Sequence, residues 1–288
     1  MWQSYGVTMT RSTLEQILAT IKRPEGPLDL AEAALLVAED ARPEVDADHY
    51  LDELSGFAEA VKARLAGRGA GDALFVLNEY LYDVEGFAGS TPDYDDPSNN
   101  FLDSVIDRRQ GLPLTLSLVY LTVGRLVGLP LQPVAFPGYF LVKLEVVGED
   151  LILDPYNGGV VLGEEDLETI LLQVYGEARL PRGPVERMLR AATAREVIVR
   201  MLRNLKRTYM HAHRWQEALW AVEGIVQLHP GQPQELRDRG RIFERLQCYP
   251  AAIADYSRYL EMAPAASDVE RVWNRLVRLH NQHPVQVH

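Results

Sequence analysis

The sequence has little cysteine and no apolar run long enough to cross a membrane. Its one cysteine, Cys248, excludes an internal disulfide and any zinc or iron–sulfur cage that needs several thiolates. The longest apolar stretch, 112–124, falls short of the roughly 20 residues that span a bilayer, and the amino terminus lacks the features of a signal peptide. We therefore expect a cytoplasmic protein that has no membrane partner.

Basic side chains are scarce in the first third of the chain. Residues 1–100 carry 7 basic and 19 acidic side chains, a balance of −12, whereas residues 191–288 carry 14 and 10, a balance of +4. The whole chain has a formal net charge of −12 at pH 7. Because an acidic protein repels the phosphate backbone, we expect no nucleic-acid partner.

Helical periodicity dominates residues 1–85. Apolar residues recur at helical spacing over 28–39, 47–65 and 72–84, and this pattern predicts a helical N-terminal region. Residues 86–99, by contrast, are rich in glycine, proline, serine and aspartate, which is typical of a loop. We therefore expect the first helical region to end before this loop.

The middle of the chain, residues 86–183, combines one strongly apolar helix with short β-like runs. The predicted helix over 114–127 is apolar nearly all round, which is typical of a helix buried at the centre of a domain. Three β-like runs follow, at 132–136, 139–147 and 151–153. A buried helix followed by a meander predicts an α+β core with a small antiparallel sheet.

An internal repeat marks the last part of the chain, residues 184–288. The segment 214–230 aligns with 248–264 at an offset of 34, which is the tetratricopeptide period. Small and large apolar residues match at the positions where one repeat helix packs on the next. We predict two tetratricopeptide repeats, over about 199–232 and 233–266, and a terminal helix.

Three motifs together carry a resemblance to a known family. They are a long segment that ends in RRQGLPLTLSLVYLTVGRLVGLP, the run FPGYFLV and the run LILDPYNGG. In this order they closely resemble the bacterial SirB family, whose members join a transglutaminase-like domain to tetratricopeptide repeats. The resemblance covers roughly residues 30–265. It implies a helical N-terminal region, then a papain-like α+β core, then an all-α repeat domain.

The resemblance also locates a degenerate catalytic site. Active enzymes of this type use a cysteine that attacks, a histidine that moves the proton and an aspartate that fixes the imidazole tautomer. Alignment with the family puts Pro113 at the cysteine position and Tyr139 at the histidine position, while Asp154 matches the aspartate. The seven histidines leave residues 50–210 without one. The resemblance therefore excludes cysteine-type acyl transfer at this site.

Two interpretations of the remaining site residues stay open. In the first, Tyr139 and Asp154 on neighbouring strands lie beside Pro113 and Thr115 and form a polar cleft that binds a ligand. In the second, Asp154 and Tyr156 tie down a turn, and Tyr139 fills the space of a lost imidazole. The second interpretation is structural and needs no ligand.

Two adjacent arginines precede the central helix. Arg108 and Arg109 offer either an anion site or ion pairs to the acidic loop at 93–96, and we expect the ion pairs. The loop itself lacks the ligand spacing of an EF-hand, so we expect solvated charge there rather than a bound cation.

Other candidate chemistry is weak. His211 and His213 have no third ligand nearby in the sequence, and Ser117 has no candidate base, so we expect its hydroxyl to bond back to its own helix. No Walker loop or dinucleotide fingerprint is present. We therefore expect no metal and no cofactor.

The repeats offer a row of basic residues on the first helix of each repeat. In the tetratricopeptide family this side lines the concave groove, so the resemblance predicts a basic groove. Its predicted members are Arg200, Arg203, Arg207, His211, Arg237, Arg241 and Arg245. Arginine forks bind carboxylates through two hydrogen bonds at once, which favours an acidic peptide or a free carboxyl terminus as partner. The alternative is that the groove docks on the protein's own acidic N-terminal region.

These patterns favour a non-enzymatic, regulatory interaction protein. The degenerate core would serve as a scaffold, and the repeats would recognise a protein or peptide partner. Two alternatives stay open: a hydrolase or transferase with an altered site, and a small-ligand sensor that uses the cleft.

Overall fold

The computed structural model describes residues 9–23, 26–90, 94–146, 148–177, 180–181 and 183–282. The chain divides into two compact units. Residues 15–198 form one unit, and the described part of 199–288 forms the other together with the residues described before position 15. The division of the sequence at residues 85 and 183 stays a prediction.

The first part of the chain is mainly helical, as the periodicity predicts. The helices are α1 (Arg11–Thr20), α2 (Asp29–Ala41), α3 (Ala47–Leu65), α4 (Ala73–Asn78), α5 (Leu102–Arg108), α6 (Pro113–Leu126) and α7 (Glu164–Tyr175). A π-helical segment, Glu79–Val84, continues α4 directly. The helical pattern over 72–84 therefore corresponds to an α-helix that is followed directly by a π-helical segment.

The apolar helix predicted at the centre of the core is α6. Every residue from Pro113 to Gly124 is buried. Pro113 occupies the first turn, where its missing N–H costs nothing, and Thr115 Oγ1 accepts a hydrogen bond from the Leu112 N–H at 3.0 Å. The helix ends before Gly128, whose φ of 92° suits glycine.

The sheet is an antiparallel meander of four strands in sequence order. They are β3 (Leu131–Val134), β4 (Leu141–Val146), β5 (Glu149–Asp154) and β6 (Val160–Leu162). The three predicted runs correspond to β3, β4 and β5, whereas β6 is too short to show a period. A separate two-stranded ladder pairs β1 (Ala88–Gly89) in parallel with β2 (Gln110–Gly111), and the sequence does not indicate it.

The second unit contains the repeat helices. They are α8 (Ala194–His211), α9 (Trp215–Leu228), α10 (Pro233–Arg245), α11 (Tyr249–Met262) and α12 (Val269–Gln282). Residues matched by the 34-residue offset occupy equivalent buried positions: Ala218 and Ala252 are fully buried, and Tyr209 and Phe243 are also buried. The predicted tetratricopeptide packing is confirmed for this region.

Two helical glycines give a matched test of the packing around α6. A Cβ on Gly124 would lie 2.2 Å from Leu131 Cδ1, whereas a Cβ on Gly56 in α3 would meet nothing within 4 Å. We expect Gly124→Ala to lower the free energy of unfolding by about 1–3 kcal/mol, because the added methyl group would overpack the core. Gly56→Ala should instead stabilise by roughly 1 kcal/mol, since alanine favours helix. Urea unfolding of both variants measures the difference, and a Gly124→Ala variant as stable as Gly56→Ala would contradict this packing.

Candidate functional site

Arg109 anchors the chain just before α6. Its backbone is left-handed, with φ 58°, and its guanidinium donates to Glu53 at 3.1 Å and to Glu85 at 2.9 Å. The same group lies over the rings of Phe57 and Phe87, 4.8 and 5.0 Å from their centroids. Carboxylates and aromatic faces therefore surround this cation on two sides.

The predicted pairing of both arginines with the acidic loop holds for only one of them. Arg108 Nη1 lies 3.5 Å from Asp96, and Arg108 Nη2 donates to Asn99 Oδ1 at 2.9 Å. For Arg109 the prediction is wrong, because its guanidinium binds Glu53 and Glu85 instead. Asp93, part of the same predicted loop, lies outside the described residues.

The β1–β2 ladder connects Arg109 to the turn after β5. The Arg109 carbonyl accepts from the Ala88 N–H at 2.8 Å, and the Gly111 carbonyl accepts from the Ser90 N–H at 3.0 Å. Tyr156 then donates its hydroxyl to the Ser90 carbonyl at 2.9 Å. The turn that holds the candidate site is thus tied to the segment that leads into α6.

Asp154 is the centre of the candidate site. It is 2% exposed and accepts three kinds of donor. The Tyr156 N–H donates to Oδ1 at 3.0 Å, Asn157 Nδ2 donates to Oδ2 at 2.7 Å, and the Tyr139 hydroxyl lies 3.2 and 3.4 Å from the two oxygens. Both oxygens of the Asp154 carboxylate therefore already accept hydrogen bonds, from Tyr139 and from the turn that follows β5.

The raised pKa of Tyr139 keeps its phenol protonated at neutral pH. Burial, followed by the charge of Asp154, raises the pKa of Tyr139 far above that of a free phenol. Burial also raises the pKa of Asp154, although hydrogen bonds from Asn157 and the Tyr156 N–H oppose this. A general base needs a pKa near the working pH, and the Tyr139 phenol is a fixed donor instead.

The other two predicted site residues lie at the start of α6. Pro113 is buried and supplies no side-chain donor or nucleophile. Thr115 donates its hydroxyl to the Asn99 carbonyl at 2.8 Å and accepts from the Leu112 N–H, so these bonds lead away from Tyr139 and Asp154. The structure therefore gives Thr115 a capping role at the helix start.

Ser117 differs from its prediction. Its hydroxyl is fully buried and has no hydrogen-bond partner among the described residues, so the expected bond back to the helix is wrong. No group of three metal-ligating side chains occurs in the described part of the chain, so His211 and His213 gain no third ligand there.

The basic residues of the repeats form two columns at 34-residue spacing, which we name the arginine columns. The first contains Arg203, Arg237 and Arg271, and the second contains Arg207, Arg241 and Arg275. They lie on α8, α10 and α12 in turn. The predicted groove lacks Arg271 and Arg275, which adding 34 once more to Arg237 and Arg241 would have found.

The first column ties successive helices together. Arg203 Nε donates to Glu235 at 2.7 Å, and Arg237 Nη1 donates to Asp268, just before α12, at 2.9 Å. Arg271 also reaches Asp268, at 3.2 Å. These arginines are therefore held by carboxylates of the same unit.

The second column is mostly left without such partners. Arg207 and Arg241 are exposed and have no ion-pair partner among the described residues. Arg275 differs, because its guanidinium donates to Glu244 at 2.9 Å. Two of these three guanidinium groups are therefore available to a ligand.

The remaining predicted groove residues fall outside these columns. Arg200 is half-buried, His211 is exposed at the end of α8, and Arg245 lies over the ring of Trp215, 5.4 Å from its centroid. Sequence analysis missed Lys206, a 7% exposed residue whose ammonium donates to Glu235 and to Asp238. Its place on α8 gave no sign of this, because its partners lie on α10.

Comparison with known proteins identifies the family. The sequence pattern described as the transglutaminase-like superfamily matches residues 48–203, and the tetratricopeptide repeat pattern matches residues 205–277. A UPF0162 protein of Xylella fastidiosa (strain Temecula1 / ATCC 700964) is 36% identical over 94% of this chain and 96% of its own length. The chain belongs to the SirB1/UPF0162 family.

More distant members of the SirB1/UPF0162 family show the same full-length match. Protein SirB1 of Salmonella typhimurium is 29% identical over 82% of this chain and 87% of its own. The UPF0162 protein YchA of Escherichia coli (strain K12) is 29% identical over 89% and 94%. The transglutaminase-like and tetratricopeptide matches together run from residue 48 to residue 277.

Among solved structures, a crystal structure of menin aligns with 96% of this chain and 71% of menin. The TM-score is 0.42 and the identity 10%, so this likeness carries no argument. Within the part of the chain that the structure describes, no helix is both long and apolar enough to span a bilayer.

The hydroxyl of Tyr139 offers a test of the turn. We expect Tyr139→Phe to lower the free energy of unfolding by about 1 kcal/mol, since buried Asp154 loses a donor. The matched control is Tyr94→Phe, because Tyr94 is 43% exposed and its hydroxyl has no hydrogen bond within the described ranges. That variant should stay within about 0.5 kcal/mol. Equal losses in urea unfolding would show that the Tyr139–Asp154 contact contributes nothing.

Proposed function

We propose that this SirB1/UPF0162 protein is a non-enzymatic, regulatory interaction protein of the cytoplasm. Its transglutaminase-like core serves as a scaffold, and its arginine columns bind an acidic peptide or a peptide with a free carboxyl terminus. The observation that carries the proposal is the repetition of two arginine positions, at 34-residue spacing, on the alternate helices α8, α10 and α12. Repeated cations at a fixed structural spacing suit a partner whose carboxylates recur along an extended chain.

The candidate catalytic site supports the scaffold role. Pro113 and Tyr139 occupy the positions that resemble those of the cysteine and the histidine, and neither can perform their chemistry. Asp154 is buried and committed to donors of its own turn. Because residues 50–210 contain no histidine, this segment offers Asp154 no imidazole to orient. Its hydrogen bonds hold the turn instead.

The charge balance of the repeat face supports binding of an anion. The six arginines of the columns and Lys206 carry seven positive charges, while four carboxylates contact them: Glu235, Asp238, Glu244 and Asp268. The face therefore keeps a surplus of three positive charges. Internal ion pairs hold several guanidinium groups in place, so less side-chain entropy is lost when a ligand binds.

Arg207 and Arg241 are the best positions for a binding test, because neither holds an internal ion pair among the described residues. We expect the double variant Arg207→Glu/Arg241→Glu to bind fluorescein-labelled hexaglutamate at least about tenfold more weakly than the unaltered protein, or about 1.4 kcal/mol. Fluorescence anisotropy at low ionic strength measures this, since exposed charges are screened by salt. Circular dichroism and thermal unfolding check the fold.

The control variant carries the same change in net charge at other exposed arginines, Arg187→Glu/Arg258→Glu. Arg258 lies on α11, a second helix of a repeat, and Arg187 lies outside the repeat unit. This control should retain the affinity for hexaglutamate. If both double variants lose the same affinity, binding follows overall charge, and the proposal that the arginine columns recognise the peptide fails.

A further inference from the structure

A pocket of about 300 Å³ opens in the repeat unit between the second and third members of the arginine columns. Seven residues line it: Arg237, Asp238, Arg241, Tyr256, Arg271, Val272 and Arg275. They come from α10, α11 and α12. Four guanidinium groups therefore surround one concave space, whereas Arg207 of the first member lies outside its lining.

The cations around this pocket outnumber the carboxylates that they contact. Asp238 is shared by Lys206 and Arg237, and Asp268 is shared by Arg237 and Arg271. Glu244 is shared in the same way by two arginines of α12, Arg275 and Arg278. Lys206 also pairs with Glu235, so with Arg241 there are six cations around four carboxylates, which leaves two positive charges without internal compensation.

The carboxylates that hold these arginines are themselves fixed. Tyr256 donates its hydroxyl to Glu244 at 2.9 Å, and Tyr259 donates to Asp268. The side chains of Arg237 and Arg275 are only 31% and 35% exposed, so most of their surface is already shielded from solvent in the absence of a ligand. Two of the four lining guanidinium groups are therefore held in place before a ligand binds, whereas Arg241 and Arg271 are exposed.

We propose that this pocket binds the phosphate monoester of a phosphorylated peptide. A phosphoserine carries about −1.5 to −2 charges at pH 7 and three strong acceptor oxygens, whereas a carboxylate carries one charge and two oxygens. A surplus of two positive charges, with four arginine forks that line one pocket, matches the phosphate more closely. The inference rests on the proposed function and names the group that anchors the acidic partner.

The test compares three labelled peptides of sequence acetyl-Gly-Glu-X-Glu-Gly-amide, in which X is phosphoserine, glutamate or serine. We expect the unaltered protein to bind the phosphoserine peptide at least about tenfold more tightly than the glutamate peptide. Inorganic phosphate should compete with it better than sulfate does at equal ionic strength. Both affinities are measured by fluorescence anisotropy.

A matched pair of variants locates the binding. Arg241→Gln and Arg207→Gln change equivalent exposed positions one repeat apart, and only Arg241 lines the pocket. Arg241→Gln should remove most of the preference for phosphoserine over glutamate, whereas Arg207→Gln should retain that preference. Equal loss in the two variants would overturn the assignment to this pocket.

The pH dependence separates a phosphate from a carboxylate. The second phosphate pKa is about 6, so lowering the pH from about 7.5 to about 5.5 leaves roughly a quarter of the phosphate as dianion. The charged groups around the pocket are arginines and Lys206 with Glu235, Asp238, Glu244 and Asp268, and no histidine lines it among the described residues. We expect the preference for phosphoserine to fall about fourfold over this interval.

The outcomes distinguish this inference from the proposed function. Binding of hexaglutamate without a preference for phosphoserine overturns the inference and leaves the proposed function standing. Failure of both the hexaglutamate and the phosphoserine peptides to bind overturns both.

Discussion

The arrangement of the core depends on the guanidinium of Arg109. This cation joins α3, through Glu53 and Phe57, to the segment that runs from Glu85 into β1. Its own backbone then leads into β2 and the start of α6. Breaking a partly buried pair leaves a charge without compensation, so the carboxylates and the arginine must fold together. The strained left-handed backbone at this residue persists because side-chain contacts on both faces determine it.

From this anchor the same chain of contacts reaches the degenerate site. Pairing of β1 with β2 places Ser90 under the hydroxyl of Tyr156, and Gly89 allows the ring to lie against the strand, where a Cβ would be 2.6 Å from it. Asp154 accepts from the backbone of that tyrosine. The aspartate that matches the family's catalytic position by resemblance thus accepts the hydrogen bonds that close this turn.

Elements that rest on a long or repeated sequence pattern were predictable, whereas features that rest on a single contact were not. The buried length of α6 and the 34-residue offset both depend on many residues, so their patterns survive local exceptions. The β1–β2 ladder has two residues in each strand and shows no period. The partners of Arg109 lie 24 and 56 residues away, and nothing in the sequence near the arginine indicates them. The family resemblance predicts the candidate site residues, but it does not indicate their hydrogen bonds.

The repeat unit divides its arginines between two tasks by position within the repeat. In the first column, Arg203 on α8 binds Glu235 on α10, and Arg237 on α10 binds Asp268 just before α12, so their charge joins equivalent parts of neighbouring repeats. The second-column residues Arg207 and Arg241 follow the first-column residues by four positions, one turn further along the same helix face. Both stay exposed. In α12 the pattern changes, because Arg275 binds back to Glu244 on α10. This ion pair ties α12 to α10. Arg275 and Arg241 both line the pocket, so the same arginine that joins the two helices also contributes to the candidate binding site.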